Sequence, residues 1–288
     1  MEDPAYKALV ANVTPPEKRE KAFSLLYLGG NIGLTLSPTI AGILFNNHLQ
    51  LCFLICGIAI AFSTILIGFG VKDVGEIQKE KSELKSGSAW ELLKGNTVLI
   101  FFLIAVSFYE GAYAQFNYLM PIDIGKAHPG NGSVIFGTVT SLNCIIVVFM
   151  TPVITMAMEK IAMTKKYFFG VLLQILSFGL FLISFGAIEG YYVSITIFTL
   201  GEILTATVGG AYLSARVPES HVGRIYGIMN FSSSFLQGVV KWNSGWLFDS
   251  YGSSPAWLFS IAMTVIALIA AFILVIADRD RFCECTEA

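Results

Sequence analysis

Eight times along its 288 residues the chain runs through about twenty mostly apolar positions, and no other feature constrains the fold as strongly. A helix rises about 1.5 Å per residue, so roughly 20 residues cross the ~30 Å hydrocarbon layer of a bilayer. The runs lie at about 22–45, 51–71, 97–120, 133–157, 167–187, 191–214, 225–248 and 255–277. In lipid every backbone N–H and C=O needs a partner inside the protein, and a helix supplies these within a single segment. Only 13% of the residues are charged, about half the share of a soluble domain, too few to cover a surface facing water. The expected class is an all-α membrane protein that crosses the bilayer eight times.

The polar residues between the runs set the expected orientation. Fifteen of the eighteen Lys and Arg fall in alternate loops, around residues 18–21, 72–94, 160–166 and 216–224, and in the tail after 278. Lys126 is the only cation in the opposite loops; Lys7 lies in the opening stub and Lys241 inside a run. Cationic loops stay on the cytoplasmic side, so the C-terminus is expected there, in a cell (inner or plasma) membrane. The only long polar linker, 72–96, divides the chain into 1–71, a 97–277 bundle of six spans, and a 278–288 tail.

Cys52, Cys56 and Cys144 sit inside apolar runs as small hydrophobes. Cys283 and Cys285 supply two ligands where a structural zinc wants about four. No nucleophile–base set, phosphate loop or metal spacing stands out, and no basic patch is interleaved with aromatics. Enzymatic activity, a cofactor, a metal and a nucleic-acid partner are therefore not expected. The expected partners are the lipid bilayer and a small-molecule substrate.

Compared with itself at an offset of 203, the chain shows a weak ordered repeat. Pro15 falls on Pro218, "AFSLL" (22–26) on "IYGIM" (225–229), and "GILFN" (42–46) on "GWLFD" (245–249). Such repeats mark many secondary transporters. In the first run Gly29, Gly33, Ser37 and Ala41 recur at four-residue spacing, a pattern that lets a neighbouring helix approach closely. Pro38 follows one of them and removes a backbone hydrogen bond.

At these residues the chain resembles the major facilitator superfamily, and within it the drug:proton antiporter branch. That branch carries the pattern Gly-x-x-x-Gly-Pro-x-x-Gly-Gly on its fifth helix. Here Gly33, Ser37, Pro38, Ala41 and Gly42 hold the pattern, with Ser and Ala in place of two glycines. "FYEGAYAQFNYLMPIDI" and "LGEILTATVGGAYLSARVPESHVGRIYG" resemble the seventh and tenth helices of multidrug-efflux members. The resemblance implies a major-facilitator fold of twelve helices, six on each side of a cytoplasmic tether. On that plan the eight runs are helices five to twelve, and "PAYKALVA" is the end of helix four. The 1–71 segment is then a remnant of the first bundle, and the chain alone is not expected to drive coupled transport. The family's best-known coupling positions lie on helices absent from this sequence. The implied activity is proton-coupled export of lipophilic or cationic compounds by alternating access; import of peptides or nutrients, or a non-transporting fragment, are the alternatives.

Ionisable groups inside spans are candidates for function, because burying one costs at least about 2.5–3.5 kcal/mol. Glu110 and Glu202 are the proton-coupling candidates, lying mid-run in the third and sixth spans. Tyr109, Tyr113, Gln115, Asn117 and Asn143 are the substrate-cavity candidates. On an unbroken helix Glu110, Tyr113 and Asn117 share one face. Lys241 is expected to reach the outer interface or pair with a carboxylate, and Asp123 and His128 to be solvated at the outer boundary.

Overall fold

The computed structural model describes residues 10–11, 13–45, 49–70, 93–184, 186–218 and 221–284, so most of the 72–96 tether lies outside the described residues. A 3-10 turn, Pro16–Lys18, leads into α1 (Arg19–Phe45), and α2 (Leu49–Gly70) follows. Beyond the tether come α3 (Thr97–Tyr113), a 3-10 turn (Ala114–Phe116) and α4 (Leu119–Ala127). Then follow α5 (Gly132–Ala157), α6 (Met163–Ile183), α7 (Ile188–Arg216), α8 (Val222–Tyr251) and α9 (Ser253–Glu284). Each apolar run has its helical rod, and α3 with α4 makes one broken rod. Among the described residues, five rods meet the length and apolarity needed to cross a bilayer: 97–127, 134–157, 163–183, 188–216 and 253–278.

The break corrects the expectation of one helix over 97–120. Pro121 has no N–H to give the Asn117 carbonyl four residues back, and its ring crowds that oxygen. The chain leaves the α-helix at Tyr113, makes the 3-10 turn, and restarts at Leu119. Pro152, by contrast, is carried inside α5.

The broken rod packs on α8 and α9, α6 packs on α7 and α9, and α5 packs on α7. α1 lies across α5 and α7, and α2 packs against α1. α6 and α7 approach each other closely. A Cβ built on Gly170 would stand 2.8 Å from the Gly201 carbonyl oxygen, and one on Gly201 would stand 2.7 Å from that of Gly170. Between helices in lipid such contact supplies the attraction that water exclusion supplies in soluble proteins.

At the end bearing Lys126, Trp257 is fully buried, with its ring 4.4 Å from Phe181 and 5.3 Å from Phe178. Its indole N–H donates to Asp123 (2.8 Å), which also accepts from the Ser253 hydroxyl (2.7 Å). The His128 ring bonds the Gly186 carbonyl at 2.8 Å. Both residues are therefore half-buried ties between helix ends, not the solvated groups expected. Along the described part of the small-residue stripe, a Cβ on Gly29, Gly30 or Gly33 would meet open space, and Gly29 and Gly30 line a cavity between α1 and the bundle.

Candidate functional site

A cavity of about 1020 Å³ lies between α1 and the walls formed by α3, α6, α7 and α8. Glu110 on α3 and Glu202 on α7 both line it, with Tyr27, Tyr109, Tyr113 and Tyr167. The described lining includes no Lys, Arg or His.

Glu202 is 6% exposed. The Tyr113 hydroxyl donates to one carboxylate oxygen at 2.8 Å and the Asn143 amide to the other at 2.7 Å. The same amide donates to the Thr199 hydroxyl (2.8 Å), which in turn donates to the Ile195 carbonyl. One turn beyond Glu202, the Thr205 hydroxyl donates to that of Tyr109 at 2.7 Å. The Tyr113 ring is fixed by stacking on Phe198, 5.2 Å away. All these donors to Glu202 are neutral. In a medium of low dielectric a charge so held calls for a proton or a cation.

Three hydroxyls on the cavity wall, those of Tyr27, Tyr167 and Ser233, are buried without a hydrogen bond of ordinary geometry. Unpaired buried polar groups are uncommon in finished structures, and here they cluster where a ligand would lie. Tyr27 faces Glu202 from α1. Tyr109 and Tyr113 each lie within electrostatic reach of both Glu110 and Glu202.

Of the residues singled out in the sequence, Glu110, Glu202, Tyr109 and Tyr113 line the cavity, and Asn143 stands behind Glu202. Gln115 and Asn117 do not line it. Gln115 accepts from Ser244 on α8 (3.1 Å), and Asn117 is exposed. The 3-10 turn winds about three residues per turn, so the face shared by Glu110 and Tyr113 is lost before Asn117. Lys241 is half-buried on α8, outside the lining. The side chains of Ser37, Pro38, Ala41 and Gly42 lie outside the described residues, though α1 remains helical through them. Sequence reasoning missed Tyr27, Thr199 and Thr205. A hydroxyl every three or four residues around Glu202 was the available signal.

The cavity ends at the basic end of the bundle, where α1 is pinned. Lys166 on α6, 2% exposed, pairs with Glu20 at 2.6 Å. The Arg19 guanidinium donates to the Ser214 carbonyl, and Ser24 and Thr155 share a hydroxyl contact at 3.3 Å. Phe23 packs on Gly210, where an added Cβ would meet its ring at 2.6 Å. Tyr226, which the 203-residue repeat places opposite Phe23, donates to the carbonyl of the same Gly210 at 2.7 Å. Outside the membrane, Lys21 bonds Glu159 at 3.0 Å and holds its carboxyl below the usual carboxylate range. That pair is exposed on both sides, so it adds little.

Residues 1–240 match the profile of the Major Facilitator Superfamily. Two curated relatives are 23% identical. One is an uncharacterized MFS-type transporter, YqjV, of Bacillus subtilis (strain 168), matched over 99% of this chain and 70% of its own length. The other is a Na(+), Li(+), K(+)/H(+) antiporter of Planococcus maritimus, matched over 77% of this chain and 58% of its own. Among solved structures, a bacterial homologue of the iron transporter ferroportin in an outward-facing state superposes with a TM-score of 0.64 at 14% identity. That match covers 92% of this chain and 66% of the other, so the chain spans about two thirds of these proteins and shares that structure's fold. An all-helical architecture and a profile match over most of its length place this chain in the Major Facilitator Superfamily.

Proposed function

We propose that the chain takes part in proton-coupled exchange of small lipophilic or cationic compounds, whose export proceeds by alternating access. The observation that carries this reading is Glu202: a buried carboxylate on a cavity wall, held by neutral donors and faced by tyrosine rings. A proton and a cation compete for such a group, and ring faces add attraction for a lipophilic cation. The relative named as a cation/H(+) antiporter supports the coupling. Import of peptides finds less support, since the described lining offers no cation to hold a terminal carboxylate.

The test uses the full chain in lipid nanodiscs, weakly buffered, with tetraphenylphosphonium as probe. Binding is expected to release protons and to strengthen as pH rises, because the proton occupies the same carboxylates. Binding that releases no protons across pH 5–9, or no binding at all, overturns the reading.

The cation count in alternate loops also supports a cytoplasmic C-terminus and basic end. In intact cells a membrane-impermeant thiol reagent is expected to label a cysteine placed at Lys126 and to miss one placed at Lys21. The reverse pattern inverts the orientation.

A further inference from the structure

α1 docks on the bundle through one stripe: Arg19, Phe23, Tyr27 and Asn31, four residues apart, with Glu20 and Ser24 beside them. The first two turns of the stripe make the pinned contacts at the basic end. One turn further on, Tyr27 turns its buried hydroxyl toward Glu202, within reach of the carboxylate but short of a hydrogen bond of ordinary geometry. Among the described residues it is the side chain that α1 extends toward that carboxylate.

The geometry points to Tyr27 as the positioning residue that reports the state of Glu202 to α1. This inference rests on the proton-exchange reading above. A carboxylate offers about four lone-pair positions and is acceptor-only. Tyr113 and Asn143 take one on each oxygen, which leaves room for a third donor. A hydrogen bond to the anion is roughly twice as strong as one to a neutral acceptor, so ionised Glu202 draws Tyr27 in and holds α1 against α5 and α7. A protonated or cation-loaded Glu202 attracts it only about half as strongly, and the middle of α1 loosens while its basic end stays pinned. The other groups facing Glu202 belong to the bundle: Glu110, Tyr109 and Tyr113 on α3, and Asn143 on α5. α6 adds Tyr167 nearby and α8 adds uncharged polar side chains. None of these can pass a change on Glu202 directly to α1.

Spin labels report the movement: Leu25→Cys on α1 and Arg224→Cys on α8, both exposed positions, with the five native cysteines replaced. In the labelled parent the distance distribution is expected to shift between pH 5 and pH 9, and again when tetraphenylphosphonium is added. Tyr27→Phe should flatten both responses. Glu202→Gln should hold the low-pH distribution throughout. A Tyr27→Phe protein that keeps the parent's pH response overturns the inference, as does a parent with no response. In either case intact proton release in the parent leaves the exchange reading standing, and its loss removes that reading separately.

Discussion

Glu202→Gln is expected to abolish proton release on probe binding and to weaken that binding at least tenfold at pH 8. The amide keeps the shape and can still accept from Tyr113, so the change removes charge with little loss of packing. A unit charge about 4 Å from a carboxylate gains roughly 4 kcal/mol at an effective dielectric near 20. Half of that, allowing for the proton the cation displaces, is still more than tenfold in affinity. Glu110→Gln is expected to do less, because Glu110 is only half-buried and water screens its charge. Isothermal titration with a pH-sensitive dye reads both quantities together. A Glu202→Gln protein that binds as tightly as its parent and releases as many protons would remove Glu202 from the exchange. The opposite ranking of the two variants would move the exchanging proton to Glu110.

How far this site could be read in advance follows from what each residue signals locally. The eight rods were legible because lipid leaves a chain few alternatives, and their length and polar boundaries are written in the sequence. Glu202 and Glu110 stood out as acids in apolar runs. The break after Tyr113 was harder to see: 97–120 is apolar throughout, and Pro121, its cause, resembles Pro152, which interrupts nothing. Whether a proline breaks a helix depends on what its neighbours offer the freed carbonyl, and this is a tertiary property. Tyr27 was missed for a similar reason. It sits in "AFSLLYLGG" as one aromatic among many, and only the docking of α1 turns its hydroxyl toward Glu202. Gly170 and Gly201 carried no signal alone, since each matters through the other's backbone. The charges at the basic end were read as a group that sets orientation. Counting them hid the fact that Arg19 and above all Lys166 are buried.

That buried cation, Lys166, gives the other large expected effect, and it is asymmetric. Lys166 is 2% exposed and Glu20 17%. Glu20→Gln leaves an ammonium almost sealed from water with its carboxylate gone, and breaking a buried pair in this way costs about 3–5 kcal/mol. Lys166→Met leaves an acid that can turn toward solvent, and the new thioether fills the vacated space, so roughly 1.5–3 kcal/mol is expected, the range of one lost hydrogen bond to a charged group. The double variant removes both charges and is expected to recover most of the loss. α1 can answer the strain by lifting off rather than unfolding the bundle, whose rods pack mainly on one another. Thermal unfolding should therefore be paired with thiol labelling of Ser24→Cys, which the docked α1 shields. Faster labelling in Glu20→Gln than in Lys166→Met, returning toward the parent in the double variant, is the expected order. Equal effects of the two single variants would show that both charges keep access to water, and the pair would then be a surface contact that does not pin α1.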